Sequence, residues 1–399
     1  MELNKKQKEG LELAVTRYIN KEKITVIAGY AGTGKSTLVK FIISALEKYD
    51  VDSEKDVVYT SFTGKATQIL QKKGNKNVKT LHKLLYDFYP RSNGTFFKKP
   101  VDYISYKIVI VDECSMVPKE LFNQLLKYPV HIICLGDPGQ LPPVDKSDDN
   151  ELLINPHIFL DEIMRQEEQS EIIQLTMKIR AGEELKTFKG KEVQILEYKD
   201  LTSGMLLWAD QVICSTNATR VELNQKIRNL LNKNGKPQDG DKIICLRNYW
   251  DIFSNNLSPL VNGTIGYLKN TQELSISIPK YITNDRLKSI DTINCDFISD
   301  DDISIYNNLL IDKKMILENE PTLNFKESFK MSKNEELKDL VPLSFTYAYA
   351  ITCHKSQGSE WDNVLVIEES FPFDKDEHIK WLYTACTRAA KKLVIIKKG

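Results

Sequence analysis

The chain has 399 residues, 41% hydrophobic and 28% charged, and its 55 Lys plus Arg balance 55 Asp plus Glu for a formal net charge of zero. This length allows two or three domains with their own cores, and the composition is that of a globular protein. The even balance excludes a histone-like protein that holds nucleic acid by bulk charge, though not a local basic groove.

In chain order, the first predicted strand is Ile24–Ala28. It runs into a glycine-rich loop and then a helix, in which Leu38, Phe41, Ile42, Ala45 and Leu46 fall at i, i+3, i+4, i+7 and i+8. A strand at Val57–Thr60 completes a βαβ unit. The stretch from Tyr86 to Tyr103 contains Asn93-Gly94, the strongest short hairpin signal, followed by Phe96 and Phe97. Strands follow at Ile108–Val111, Ile132–Leu135, Val212–Ser215, Val364–Ile367 and Leu393–Ile396. These runs are almost wholly apolar and do not alternate, as expected of parallel strands covered on both faces. Between about 251 and 340 the chain is richer in Asn, Ser and Asp and contains alternating runs such as Leu274-Ser275-Ile276-Ser277-Ile278. A mostly β insertion is predicted there, with Asp300-Asp301-Asp302 as a solvated loop.

Gly29-Tyr30-Ala31-Gly32-Thr33-Gly34-Lys35-Ser36, followed by Thr37, fits the phosphate-loop pattern, with a strand before it and an amphipathic helix after it. Small residues let backbone N–H groups wrap phosphate oxygens, and the helix N-terminus adds positive potential. Lys35 is expected to reach the β- and γ-phosphates, and the Ser36 hydroxyl to bind Mg²⁺. Asp112-Glu113 ends a buried strand, where acids are costly unless a cation or water meets them. Asp112 is assigned to Mg²⁺ and Glu113 to the attacking water. The stiff loop Gly136-Asp137-Pro138-Gly139-Gln140-Leu141-Pro142-Pro143-Val144 places Gln140 as a sensor of the γ-phosphate. ATP and Mg²⁺ are therefore the expected cofactors.

Together these motifs resemble superfamily 1 DNA helicases, in particular the RecD/Dda branch and its compact phage members. The likeness continues through Thr60-Ser61-Phe62-Thr63-Gly64-Lys65-Ala66, Thr80-Leu81-His82-Lys83-Leu84-Leu85 and Arg165-Gln166. It resumes at Val261-Asn262-Gly263-Thr264-Ile265-Gly266, at Tyr349-Ala350-Ile351-Thr352-Cys353-His354-Lys355-Ser356-Gln357-Gly358-Ser359-Glu360-Trp361-Asp362, and at Leu382-Tyr383-Thr384-Ala385-Cys386-Thr387-Arg388-Ala389. The resemblance implies that Arg165 and Arg388 serve the γ-phosphate, that Glu360 touches the ribose and that Gln7 reads adenine. Arginines of this kind are worth roughly 10³–10⁵ in rate. It further implies two RecA-like parallel-sheet lobes, 1–168 and 169–399. The first carries a β-hairpin pin at about 86–103, and the second a small barrel-like β insertion at about 251–340.

For DNA, hydroxyl, amide and cationic donors on both lobes are expected: Thr63, Lys65, Thr80 and His82 on the first, Thr216, Asn217, Thr352, His354 and Lys355 on the second. Either histidine has a plainer reading as a core residue. Phe96 and Phe97 are candidates to stack on a base at the fork, or alternatively to pack the hairpin onto its lobe. The expected activity is ATP-driven movement on single-stranded DNA, 5′ to 3′ by family resemblance, with unwinding of forked or tailed duplex. The rival readings are a translocase that strips bound proteins, a P-loop switch without movement, and a P-loop kinase acting on a small molecule.

The seven cysteines include no Cys-x-x-Cys pair, so neither a disulfide framework nor a zinc site is suggested. No apolar signal core opens the chain, and no run approaches the ~20 residues that span a bilayer. The expectation is a monomer in bacterial or phage-infected cytosol, with no membrane contact and with replication or recombination proteins as partners. Little chain lies outside the motifs, which predicts a compact motor without an appended nuclease domain.

Overall fold

The non-alternating apolar runs become the inner strands of parallel sheets, each residue buried on whichever face it points to. In the computed structural model, the residues described are 3–90, 96–142, 151–164, 169–233, 235–255, 259–283, 289–300, 304–369 and 374–398. They fall into two compact units. One comprises residues 1–86, 100–220 and 351–399, and the other residues 87–99 and 221–350.

The first unit opens with α1 (Lys5–Ile19), β1 (Ile24–Gly29), α2 (Lys35–Leu46), β2 (Val57–Ser61), α3 (Gly64–Lys72), β3 (Val78–Thr80) and α4 (Leu81–Leu85). A two-stranded sheet of β4 (Tyr86–Pro90) and β5 (Phe96–Pro100) follows, and the chain resumes with β6 (Ile108–Val111), α5 (Lys119–Leu125), β7 (His131–Gly136) and β8 (Ile158–Leu160). The first six-stranded sheet has the order β3-β2-β6-β7-β1-β8 and is parallel throughout. Its two faces are covered by separate apolar clusters, one around Ile27, Leu38, Ile42 and Leu46, the other around Val109, Leu121, Phe122 and Ile132.

A second sheet follows from α6 (Glu171–Arg180), β9 (Phe188–Lys189), β10 (Val193–Glu197), α7 (Ser203–Trp208), β11 (Gln211–Cys214) and α8 (Asn217–Leu230). The other unit then supplies β12 (Lys242–Cys245), β13 (Tyr249–Phe253), β14 (Pro259–Leu260), β15 (Ile265–Ser277), α9 (Lys280–Thr283), β16 (Ser289–Ser299), β17 (Ile305–Asp312), α10 (Lys313–Glu318), α11 (Phe325–Ser332) and β18 (Phe345–Tyr347). The chain ends with β19 (Ala350–Thr352), α12 (Cys353–Ser356), β20 (Trp361–Glu369), α13 (Lys375–Cys386) and β21 (Ala389–Lys398). The second sheet runs β19-β11-β20-β21-β10-β9, with a parallel centre. Each lobe's centre is thus a parallel sheet, as the sequence predicts.

Residues 251–340, expected to form a β insertion, lie in the unit that also takes in 87–99, 221–250 and 341–350. Its five-stranded sheet, β17-β16-β15-β12-β18, is antiparallel and buries Ile243, Leu268, Ile293, Phe297 and Phe345. The alternating run at Leu274 lies on β15, which explains its period of two. Within this unit Arg228 and Asp241 form a buried ion pair at 3.1 Å, with the guanidinium also over the Tyr347 ring.

All seven cysteines are buried thiols, none of them in a disulfide. A hydrogen bond with Cys134 and burial raise the Cys114 thiol, burial with the Asp296 and Asp239 carboxylates pushes Cys295 up to about 12, and burial pushes Cys353 up to about 12. No helix among the described residues is long and apolar enough to cross a membrane.

Candidate active site

Strand β1 delivers the glycine loop directly to the N-terminus of α2. Gly34 caps that helix in the left-handed region, at φ 78°, and Gly32 lies at φ 75°. Both are backbone conformations that side chains disfavour. At Gly29 a Cβ would lie 2.7 Å from Thr33 Oγ1 and 2.9 Å from Leu160 O, so only glycine fits where the loop leaves the sheet. Thr33 Oγ1 donates to Tyr30 O at 2.8 Å, and Lys35 Nζ donates to Gly29 O (2.6 Å) and Tyr30 O (3.0 Å). The loop is therefore wrapped around the lysine ammonium, with Ala31 and Thr37 half-buried and Ser36 exposed beside it. Gln7 is 1% exposed and donates from Nε2 to Thr33 O at 3.2 Å, while its Oε1 closes a capping box with Asn4.

Because the sheet is parallel with β6, β7 and β1 adjacent, the carboxyl ends of all three strands meet at one edge. Asp112 there is raised to about 6, first by burial and then by the Glu113 carboxylate, against the pull of Lys35 and Lys73. Glu113 sits in the turn after β6 at φ 51°, a left-handed conformation uncommon for a residue with a side chain. Burial also raises Asp137, whose Oδ1 accepts from Gly139 N at 2.9 Å. Gln140 is 8% exposed, and its Oε1 has no hydrogen-bond partner among the described residues. A cradle that a Cβ would fill, acids held at a cost beside a lysine and an unsatisfied amide oxygen together fit a polyphosphate with a hard divalent cation.

The helices and loops around the second sheet contribute as well. The Tyr383 hydroxyl on α13 accepts from Ala31 N at 2.9 Å and donates to Asp137 Oδ2 at 2.7 Å. Thr384 Oγ1 accepts from Leu141 N, and Gln357 Nε2 donates to Leu141 O, each at 2.8 Å. Arg180, at the end of α6, lies with its guanidinium 3.3 Å from the Tyr30 ring centre. Arg388 is 6% exposed and directs its donors to Thr384 O, Ser359 O and Thr387 Oγ1, each at 3.1 Å. Glu360 is exposed nearby in sequence. Arg165 lies outside the described residues.

Several expected DNA contacts already have structural work. Thr63 and Thr80 cap α3 and α4 through Ala66 N and Lys83 N, each at 3.2 Å. The Lys65 ammonium lies 4.7 Å from the Trp361 ring centre, and His82 packs between Phe62 and Tyr86. Glu369 accepts from Ser215 N, Ser215 Oγ, Thr216 N and Thr219 Oγ1, and Asn217 Oδ1 accepts from Arg220 Nε. Thr352 precedes α12, where burial lowers His354 and Lys355 is half-buried. Phe96 and Phe97 start β5, but their side chains lie outside the described residues.

Sequence reasoning quoted Asp137, Gln357, Tyr383 and Thr384 inside motifs without assigning them a role, and it passed over Arg180 and Lys73. A phenol after the apolar pair Trp381-Leu382 was the available sign for Tyr383, since a buried hydroxyl needs a partner.

Residues 2–199 match the AAA domain family, and residues 347–396 match the UvrD-like helicase C-terminal domain. An ATP-dependent RecD2 DNA helicase of Deinococcus radiodurans is 26% identical over 96% of this chain and 49% of its own length. The ATP-dependent DNA helicase dda of Enterobacteria phage T4 is 33% identical over 39% of this chain and 36% of its own. The chain spans about a third to a half of the length of the relatives it matches. A crystal structure of Pif1 helicase from Bacteroides with ADP-AlF3 and ssDNA aligns with a TM-score of 0.53 at 17% identity, covering 100% of this chain and 93% of that one. That likeness bears on the fold, a mixed α/β architecture with a RecA-like parallel core and further strand-rich sheets.

Proposed function

As a homologue of the RecD2 and Dda helicases within superfamily 1, this chain is, we propose, an ATP-driven motor that moves on single-stranded DNA and unwinds duplex. The observation that carries this reading is the meeting of Lys35, Asp112, Glu113 and Asp137 at one sheet edge, with groups from the second sheet hydrogen-bonded to the same loops. Such an edge suits phosphoryl transfer, where the protein positions groups and stabilises charge rather than forming covalent bonds.

In this reading the amides of the glycine loop and Lys35 hold the triphosphate, Gln7 faces the base and Glu360 the ribose. Ser36 and Asp112 would hold Mg²⁺, whose charge offsets that of the phosphates. Glu113 orients the attacking water and Gln140 senses the γ-phosphate. Arg165 and Arg388 serve the γ-phosphate. Lobes at 1–168 and 169–399 grip the strand alternately through Thr63, Lys65, Thr80 and His82 and through Thr216, Asn217, Thr352, His354 and Lys355. The two-stranded β4–β5 sheet, in the same unit as 221–350, is the candidate wedge, with an inserted β domain at about 251–340 as its support. We assign the protein to the cytosol, acting as a monomer on tailed or forked duplex, 5′ to 3′, beside replication or recombination proteins.

Strand displacement from 5′-tailed and 3′-tailed duplexes, with and without ATP, tests the proposal. ATP-dependent displacement from the 5′-tailed substrate is expected; none from either demotes the chain to a translocase or switch. Changing Phe96 and Phe97 together to Ala should lower unwinding while DNA-stimulated hydrolysis persists, and equal loss of both activities would remove the wedge.

A further inference from the structure

Tyr383 has no part in the scheme above, yet it is 1% exposed and uses both its proton and a lone pair. Its hydroxyl accepts from the Ala31 amide of the phosphate loop and donates to Asp137, the first residue after β7. Its ring is seated on Gly139, where a Cβ would lie 3.0 Å from Cε1. The following residue, Thr384, holds the Leu141 amide, and Gln357 holds the Leu141 carbonyl. Thus the loop that carries Gln140 is fastened at Asp137, Gly139 and Leu141 by side chains from the second sheet's half of the unit. One turn further along the same chain, Arg388 Nε donates to Thr384 O.

We propose that the Tyr383 hydroxyl is a positioning strut, tying the phosphate loop to the Asp137–Leu141 loop so that α13 shifts with the nucleotide state. This inference rests on the ATPase reading. The strut holds the loop by a main-chain amide and leaves the Lys35 ammonium and Ser36 hydroxyl available to phosphate. A change in loop position therefore has to be taken up by Asp137 and by the helix, because a phenol that is fully hydrogen-bonded and packed on glycine has no slack. Two elements with discrete arrangements, linked by hydrogen bonds, are what coupling between sites requires.

Tyr383→Phe keeps the ring and removes the strut. Expected is a 5- to 100-fold fall in oligonucleotide-stimulated kcat, about the span of typical coupling, with fluorescent ADP affinity altered by less than about threefold. Asp137→Asn should act on the same contact, so the double variant should fall no further than the worse single. Wild-type kcat in Tyr383→Phe, even with a lowered melting temperature, would mark a purely structural contact and overturn the strut, as would strict additivity of the two singles. Should the unaltered protein hydrolyse ATP without response to oligonucleotide, it is the motor reading that fails. The strut is then read in the release rate of fluorescent ADP, which Tyr383→Phe raises if the contact couples the loops and leaves unchanged if it does not.

Discussion

The two parallel sheets share a frame and differ at their edges. Strand β6 of the first and strand β11 of the second are buried at every position, and both sheets have parallel centres. At the carboxyl edge of the first, polar groups are left at a cost: Asp112 is raised, Glu113 sits in the left-handed region and Gln140 Oε1 has no partner among the described residues. At the corresponding edge of the second, Glu369 accepts four hydrogen bonds, while Glu368 Oε2 beside it has no partner among the described residues. The first edge thus holds a raised carboxyl and a left-handed acid where the second holds a carboxylate engaged by four donors, and the first edge is where we place the chemistry. Backbone strain and a raised carboxyl locate a site where burial alone does not distinguish the lobes.

This contrast can be broken by substitution. Lys35→Ala should lower ATP turnover by at least about 10³, since it removes the cation that follows the γ-phosphate; steady-state phosphate release measures it, and near-normal turnover ends the phosphate-site assignment. Glu113→Gln should cost roughly 10²–10³ in kcat with nucleotide affinity retained, as fits loss of a group acting on water. Asp112→Asn sharpens the comparison through stability. A carboxyl raised to about 6 is penalised when ionised, so the penalty is absent below its ordinary value near 4 and complete above pH 6. The variant should therefore be inactive yet more stable without nucleotide at pH 7.5, by about 3 kcal/mol, and no more stable at pH 4. Thermal melts at the two pH values decide this, and a lower melting temperature at pH 7.5 contradicts it.

At the Glu369 edge the sign reverses. Glu369→Ala leaves Ser215 and Thr216 amides without their acceptor at the start of α8 and should destabilise by about 1–2 kcal/mol, with KM for ATP unchanged. Loss of nucleotide binding there would erase the distinction between the edges. The smallest effect is expected from Asn4→Ala, about 1 kcal/mol for the lost capping box, with a slight rise in KM through the Gln7–Thr33 contact.

Much of the frame was legible because it depends on local pattern. The strands at 108–111 and 364–367 are read from uninterrupted apolar runs, and the glycine loop from its spacing, with errors of a residue or a few at strand ends where ladder pairing continues into polar residues. The Tyr383–Asp137 contact was not legible. Its partners are 246 residues apart, and nothing in either neighbourhood specifies the other. The same holds for Gln357 and Leu141, 216 apart. Caps such as Thr63 and Thr80 show a further reason: a hydroxyl placed for a helix start and one placed for a DNA phosphate have the same sequence signature, and both uses can coexist.

The cysteines carry a practical consequence. With every thiol buried and four of them resistant to ionisation, the native protein should react slowly with maleimides. A single cysteine introduced on an exposed position would then be the preferred handle for a dye. Fluorescence from one such label would follow individual molecules without first stripping the chain of its natural sulfur, while delayed labelling of the native thiols would time its spontaneous opening.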